Sequence, residues 1–249
     1  MQHGFTMRTI EELSMNAWPA LRSLICDGWV LRFSDGYTRR ANSVHPLYPS
    51  SGDLAAKIAQ VERLYQEQGL PAVFKLTAQS QPPGLEAALV ERGYEVEAET
   101  SVHVADLGSM GSVAVVDIET SWGNASEWRE AFHGMSRVAP EHQATHERIL
   151  ASILPLAGFA AVRQDGRIVG CGLGVVQDGW LGVFDVIVDG AARRQGHGER
   201  LMRGLMAWGQ RMGADKAYLQ VMQSNVAAVR LYEGLGFHEA YSYWYRVKR

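Results

Sequence analysis

Apolar positions along the chain switch between a period of about 3.6 and a period of two, and each switch marks an element. In the first half the pattern predicts a helix near Ile10–Cys26, strands at Gly28–Ser34 and Tyr37–Val44 about an Asp35-Gly36 turn, and a helix near Gly52–Gln68. A strand at Ala72–Thr77, a helix at Pro83–Arg92 and a strand at Tyr94–Ala105 follow. The small-residue stretch Asp106-Leu107-Gly108-Ser109-Met110-Gly111-Ser112 then reads as a linker between two β-like runs.

The second half repeats much of this order. A strand at Val113–Glu119 precedes helices near Ala125–Ser136 and Ala144–Leu154, and Phe159–Arg163 with Ile168–Val176 make a hairpin about Asp165-Gly166. Next come a strand at Leu181–Val188, a helix carrying Leu201, Leu205, Trp208 and Met212 on one stripe with Met202 and Met206 beside it, and a strand at Ala217–Met222. A helix at Val226–Leu235 and a strand at Tyr241–Val247 close the chain. The expected fold is α/β with a mixed α+β sheet, in two domains, 1–110 and 111–249. A duplication fits the likeness between Leu89-Val90-Glu91-Arg92-Gly93-Tyr94 and Tyr232-Glu233-Gly234-Leu235-Gly236-Phe237.

Composition narrows the class. A chain of 249 residues with 47% hydrophobic and 20% charged residues can bury a core in each of two domains. The formal net charge of −3 gives no sign of a nucleic-acid partner, although Arg193, Arg194 and Arg200 form a local basic patch. Cys26 and Cys171 lie in apolar surroundings away from any CxxC pair, so both read as buried reduced thiols and predict a cytoplasmic protein. No apolar run reaches the ~20 residues that span a bilayer, so no membrane partner is expected.

Chemistry concentrates after Val188. The run Asp189-Gly190-Ala191-Ala192-Arg193-Arg194-Gln195-Gly196-His197-Gly198-Glu199 joins a strand to an amphipathic helix through an Arg-x-x-Gly-x-Gly turn. Amides at a helix start have no intrahelical acceptor and lie at the positive end of the dipole, which suits pyrophosphate oxygens. A Cβ at position 196 or 198 would obstruct that approach. About thirty residues on, a strand runs into a helix with Ser224 and Asn225 at its N-cap region, and Tyr232 follows Asn225 by two helical turns. The first half has no such turn: Val44-His45-Pro46 leads into Ser50-Ser51-Gly52-Asp53.

The glycine turn together with the strand–Asn225–helix–Tyr232 segment resembles the GCN5-related N-acetyltransferase (GNAT) superfamily. The specific likeness covers Val183 to Phe237. The fold-level likeness extends over Ser112–Arg249, and the first half looks like a degenerate copy lacking the phosphate loop, as in tandem members. The resemblance implies acetyl-CoA as cosubstrate, with its pyrophosphate on the amides of Arg194, Gln195, Gly196, His197, Gly198 and Glu199, beside Arg193. The pantetheine arm would lie along the backbone of Val186, Ile187 and Val188, where two parallel strands splay, and Asn225 would bond that arm or its phosphate end. Tyr232 would hydrogen-bond or protonate the departing thiolate.

A general base is less evident. Some members of the superfamily place a glutamate on the strand before Asn225, but Gln220 stands there, so Asp185 is the carboxylate candidate, with a purely structural role as its rival. His142 and His146 have the spacing of a helical metal pair without a third ligand, and read as a solvated helix start, so no metal is expected. The expected activity is acetyl transfer to a primary amine, of a small molecule foremost. The alternatives are an acetyl-CoA-binding regulatory module and a protein N-terminal or lysine acetyltransferase. The duplication allows either a monomer with an internal pseudo-dimer or a homodimer.

Overall fold

The computed structural model describes residues 6–108, 117–119, 125–136 and 138–248. Most of the expected linker and of the strand Val113–Glu119 therefore lie outside the described residues, as does the 110/111 boundary itself. Two compact units are present, Met1–Ser101 with Tyr241–Arg249, and Val102–Ala240.

In the first unit α1 (Met7–Ala17) is capped by Thr6, whose hydroxyl accepts from the Thr9 amide at 3.1 Å. The helix stops at Ala17 rather than running to Cys26, because Pro19 restricts Trp18 to non-helical backbone. Arg22–Cys26 is instead β1, antiparallel to β2 (Trp29–Phe33). The hairpin turns at Asp27-Gly28, both with positive φ (40° and 82°). The expected hairpin at Asp35-Gly36 does not form, although those residues also have positive φ. The buried Asn42 takes the backbone groups that a strand would pair: its Oδ1 accepts from Ser34 N at 2.7 Å, and its Nδ2 donates to the Tyr37 and Thr38 carbonyls at 2.7 and 2.9 Å. The chain then enters β3 (Val44–Pro46), antiparallel to β2. Asp53 caps α2 (Leu54–Glu67), which returns the chain to β4 (Val73–Thr77), parallel to β3 with the pair Val44↔Phe74. After α3 (Leu85–Glu91), β5 (Glu95–Asp106) passes from the first unit to the second beyond Ser101.

The second unit holds β6 (Asp117–Glu119), α4 (Ser126–Ser136), α5 (Pro140–Ala151), β7 (Leu156–Gln164), β8 (Arg167–Gln177) and β9 (Trp180–Val188). Then follow α6 (His197–Arg211), β10 (Lys216–Met222), α7 (Val226–Gly234) and β11 (His238–Val247). Pairing is antiparallel from β6 to β9 and parallel between β9 and β10, which gives the expected mixed α/β class. Leu201, Met202, Leu205, Met206 and Trp208 of α6 are buried in one cluster with Leu181, Val183, Leu219, Tyr232 and Phe237. Met212, expected on that stripe, is the C-cap of α6 and is 40% exposed.

Past Ala240, β11 belongs to the first unit and pairs antiparallel with β4 from Tyr243↔Thr77 to Val247↔Val73. There Tyr241 donates to Glu11 Oε1 at 2.8 Å, and the other Glu11 oxygen is 2.5 Å from Lys75 Nζ. Both members of this ion pair are buried. Burial draws the Lys75 pKa down while Glu11 acts against it.

Candidate active site

The site is built at the carboxyl ends of β9 and β10. Their parallel register runs from Lys216↔Trp180 to Leu219↔Val183 and stops there. Phe184 to Val188 and Gln220 to Met222 thus lie beyond the last shared rung, and the half-buried Val186, Ile187 and Val188 sit where β9 keeps β8 on one side and has no β10 partner on the other. A bulge begins the divergence. Leu173 pairs with Phe184 and Cys171 with Ile187, so Asp185 and Val186 together oppose Gly172, and Asp185 adopts φ +50°. A non-glycine residue in that region is strained, and its side chain is aimed by the bulge rather than by the strand's alternation.

After β9 the Asp189 carboxylate accepts from Ala191 N at 2.9 Å and is 3.3 Å from Arg167. Arg194 has φ +60°, and Gly196, with φ +80°, is the N-cap of α6. The first amide of α6 with an intrahelical acceptor is that of Arg200, to Gly196 O at 3.0 Å. The amides of Gln195, Gly196, His197, Gly198 and Glu199 have no acceptor among the described residues. Gly198 lies against α7: a Cβ there would meet Leu231 at 3.3 Å. Glu199, acidic in this first turn, is drawn to Arg203 at 2.8 Å, so its charge is partnered away from the amides. Arg193 Nε reaches Val188 O at 3.4 Å. The His197 Nε2 atom is 3.3 Å from Gln164 Oε1. A row of free amides, two glycines and a strand edge without partners fit a pyrophosphate with an extended amide-bearing arm.

On α7, Asn225 is the N-cap and accepts from Ala228 N at 3.3 Å. Tyr232 is buried, 6.2 Å from the Phe237 ring centre, and burial pushes its phenol up to about 12. Its hydroxyl has no hydrogen-bond partner among the described residues.

Sequence reasoning missed the partners of Asp185. α5 starts at Pro140 rather than Ala144, so His146 lies in its second turn instead of its first and is fully buried instead of solvated, while His142, which the earlier start brings into the helix, is half-exposed. His146 Nε2 is 3.3 Å from Asp185 Oδ2, and its Nδ1 is 2.9 Å from His133 Nε2 on α4. Proline at the first helical position was the available signal for that earlier start. Among the described residues no group of three His, Cys, Asp or Glu side chains could hold a metal. No helix among them is long and apolar enough to cross a membrane.

The first unit has the same strand–loop–helix–strand order in β3, α2 and β4, with a different head to its helix. The Ser51 and Gly52 amides there donate to the carboxylate of Asp27 at 3.1 and 3.2 Å. The Ser50 hydroxyl joins them at 2.8 Å and Lys57 Nζ at 3.2 Å. The Ser50 bond foremost, then the Gly52 amide and Lys57, hold the Asp27 carboxyl well below the usual carboxylate range.

Comparisons with known proteins agree with this geometry. A family profile described as "Probable histone acetyltransferase Rv0428c C-terminal" matches residues 5–246. An uncharacterized N-acetyltransferase, YobR, of Bacillus subtilis is 30% identical over 98% of this chain and 99% of its own. The [ribosomal protein bS18]-alanine N-acetyltransferase of Escherichia coli K12 is 41% identical over 58 residues, 23% of this chain and 39% of its own. Among solved structures, a GCN5-related N-acetyltransferase from Kribbella flavida superposes with a TM-score of 0.70 at 19% identity, covering 98% of this chain and 96% of its own. A tandem GNAT protein from the clavulanic acid biosynthesis pathway gives 0.65 at 12% identity, over 96% and 87%. The chain therefore belongs to the Rv0428c C-terminal family and is an N-acetyltransferase of the GNAT superfamily.

Proposed function

We propose that the second unit transfers the acetyl group of acetyl-CoA to a primary amine of a small molecule by direct attack on the thioester. The observation that carries this reading is the row of unpartnered amides from Gln195 to Glu199 beside a parallel ladder that ends at Leu219↔Val183. Those amides, with that of Arg194 and the charge of Arg193, take the pyrophosphate. The backbone of Val186, Ile187 and Val188 takes the pantetheine arm and offers N–H groups to the carbonyl oxygen as charge develops on it. Asn225 keeps its Oδ1 on the helix and uses its Nδ2–H for the arm or its phosphate end.

Asp185 accepts a proton from the amine as the nitrogen bonds to the acetyl carbon. The carbon–sulfur bond breaks, the electron pair leaves with sulfur, and the Tyr232 hydroxyl donates a hydrogen bond to the thiolate. With the phenol near 12 and a thiol near ~8.5, full proton transfer is uphill by roughly 5 kcal/mol. Tyr232 thus acts as a hydrogen-bond donor, and the proton taken by Asp185 returns to solvent. None of these steps uses a metal.

The first unit is read as a copy with a closed cradle, because Asp27 already satisfies the amides that would meet a phosphate. One acyl-CoA per chain follows. Release of CoA thiol from acetyl-CoA, followed with n-butylamine, tyramine, spermidine, an alanyl peptide and a lysyl peptide, tests the reading. Turnover with a small amine supports it, and turnover with peptides alone shows a protein acetyltransferase. Release no faster than hydrolysis with every acceptor points to an acetyl-CoA-binding regulatory module.

A further inference from the structure

The buried ring of His146 lies between Asp185 and His133 and has no part in the transfer step above. Its contacts dictate a direction. An ionised carboxylate only accepts hydrogen bonds, so the proton on His146 faces Asp185 from Nε2 across 3.3 Å. With a single N–H on His146, its Nδ1 accepts from His133 Nε2 across 2.9 Å. Phe132 covers the His146 ring at 5.0 Å, and the two imidazoles are 5.1 Å apart. The buried Cys171 lies near Asp185, and the Arg129–Glu147 pair, 4.0 Å apart and partly exposed, lies near His133. Burial lowers the pKa of His133. Two devices therefore converge on one carboxylate: the positive φ of the bulge sets its backbone, and the histidine pair holds one of its oxygens.

We propose that His146 and His133 are positioning residues for acetyl transfer, a one-way chain of donors from His133 to His146 to Asp185 that engages Oδ2 and leaves Oδ1 to meet the acceptor amine. Orientation of this kind preserves a near-attack geometry that a freely rotating carboxylate loses. The proposal rests on the reading of Asp185 as the base and says how that base is held.

Two measurements on the full chain test it. In histidine-¹⁵N-labelled protein the His146 ring, assigned by loss of its signals in His146→Gln, is expected as the Nε2–H tautomer with Nδ1 unprotonated. The opposite tautomer overturns the proposal. The second measurement is steady-state kinetics with acetyl-CoA and the panel amine of highest turnover, on variants whose melting temperatures are recorded. His146→Leu is expected to lower kcat by about 30-fold with the KM for acetyl-CoA within about twofold. His146→Gln, which keeps a donor near the Nε2 position, recovers most of that loss, and His133→Phe costs about threefold to tenfold. Asp185→Asn lowers kcat by about 100-fold. Adding His146→Leu to Asp185→Asn lowers it less than about twofold further, since the histidine acts through the carboxylate.

If Asp185→Asn is as active as wild type, the base reading itself falls and this proposal with it. If Asp185→Asn is slow while His146→Leu keeps its full separate effect in that background, or has none alone, the base reading stands and the positioning chain is overturned.

Discussion

Tyr232 and Gly198 carry separable parts of the proposed reaction. Tyr232→Phe removes only a hydroxyl from a buried ring that stays packed on Phe237, so turnover should fall roughly 10- to 100-fold with acetyl-CoA affinity within about twofold. Initial rates beside equilibrium titration check this, and unchanged turnover removes the role. Glu11→Ala would strand Lys75, which is buried, and should cost about 3–5 kcal/mol in chemical denaturation. A loss under about 1 kcal/mol would show that Lys75 finds water. The glycine turn at the head of α6 and the placement of Asn225 and Tyr232 on one helix were readable because each is local in sequence, a few residues on one turn or helix. The histidine chain was not, because His133, His146 and Asp185 come from three elements that only the packing of α4 and α5 on β9 brings together.

Among the elements, the heads of α2 and α6 show how one supersecondary unit reaches two outcomes. At α6 the amides are free; at α2 a carboxylate from the β1–β2 turn fills them. Asp27→Ala should lower the melting temperature, because Lys57, 5% exposed, loses its counter-ion. Added inorganic phosphate should then raise the melting temperature of the variant more than that of wild type, and equal shifts would show that this head does not hold anions. Strands and helices with clean periodicity, such as β7, β8 and α6, were evident from the pattern. The stretch Trp18 to Val44 misled it for two physical reasons. Apolar Leu21, Leu24 and Ile25 prolong a helical rhythm that Pro19 has already ended, and two Asp-Gly turns look alike until Asn42 captures the backbone after the second.

For the whole molecule, linear halves are a poor description of the first unit, since its β4 pairs with Tyr243–Val247 from the far end of the chain. A fragment of residues 1–101 lacks that strand and the Tyr241 bond to Glu11, and should be unfolded by circular dichroism. The same fragment joined through a flexible linker to residues 241–249 should fold. A cooperative melt of the short fragment would contradict this. Long-range exchange of this kind leaves no periodic trace, which is why the pattern supported a single boundary near the middle.

The central claim is that one acyl-CoA site lies at the head of α6. Calorimetric titration of the full chain with acetyl-CoA should give one site per chain, and Gly198→Glu, which places a side chain and a negative charge among the amides and against Leu231, should weaken it at least about 100-fold, or ~2.7 kcal/mol. Two sites per chain, or undiminished binding in Gly198→Glu, would contradict the account.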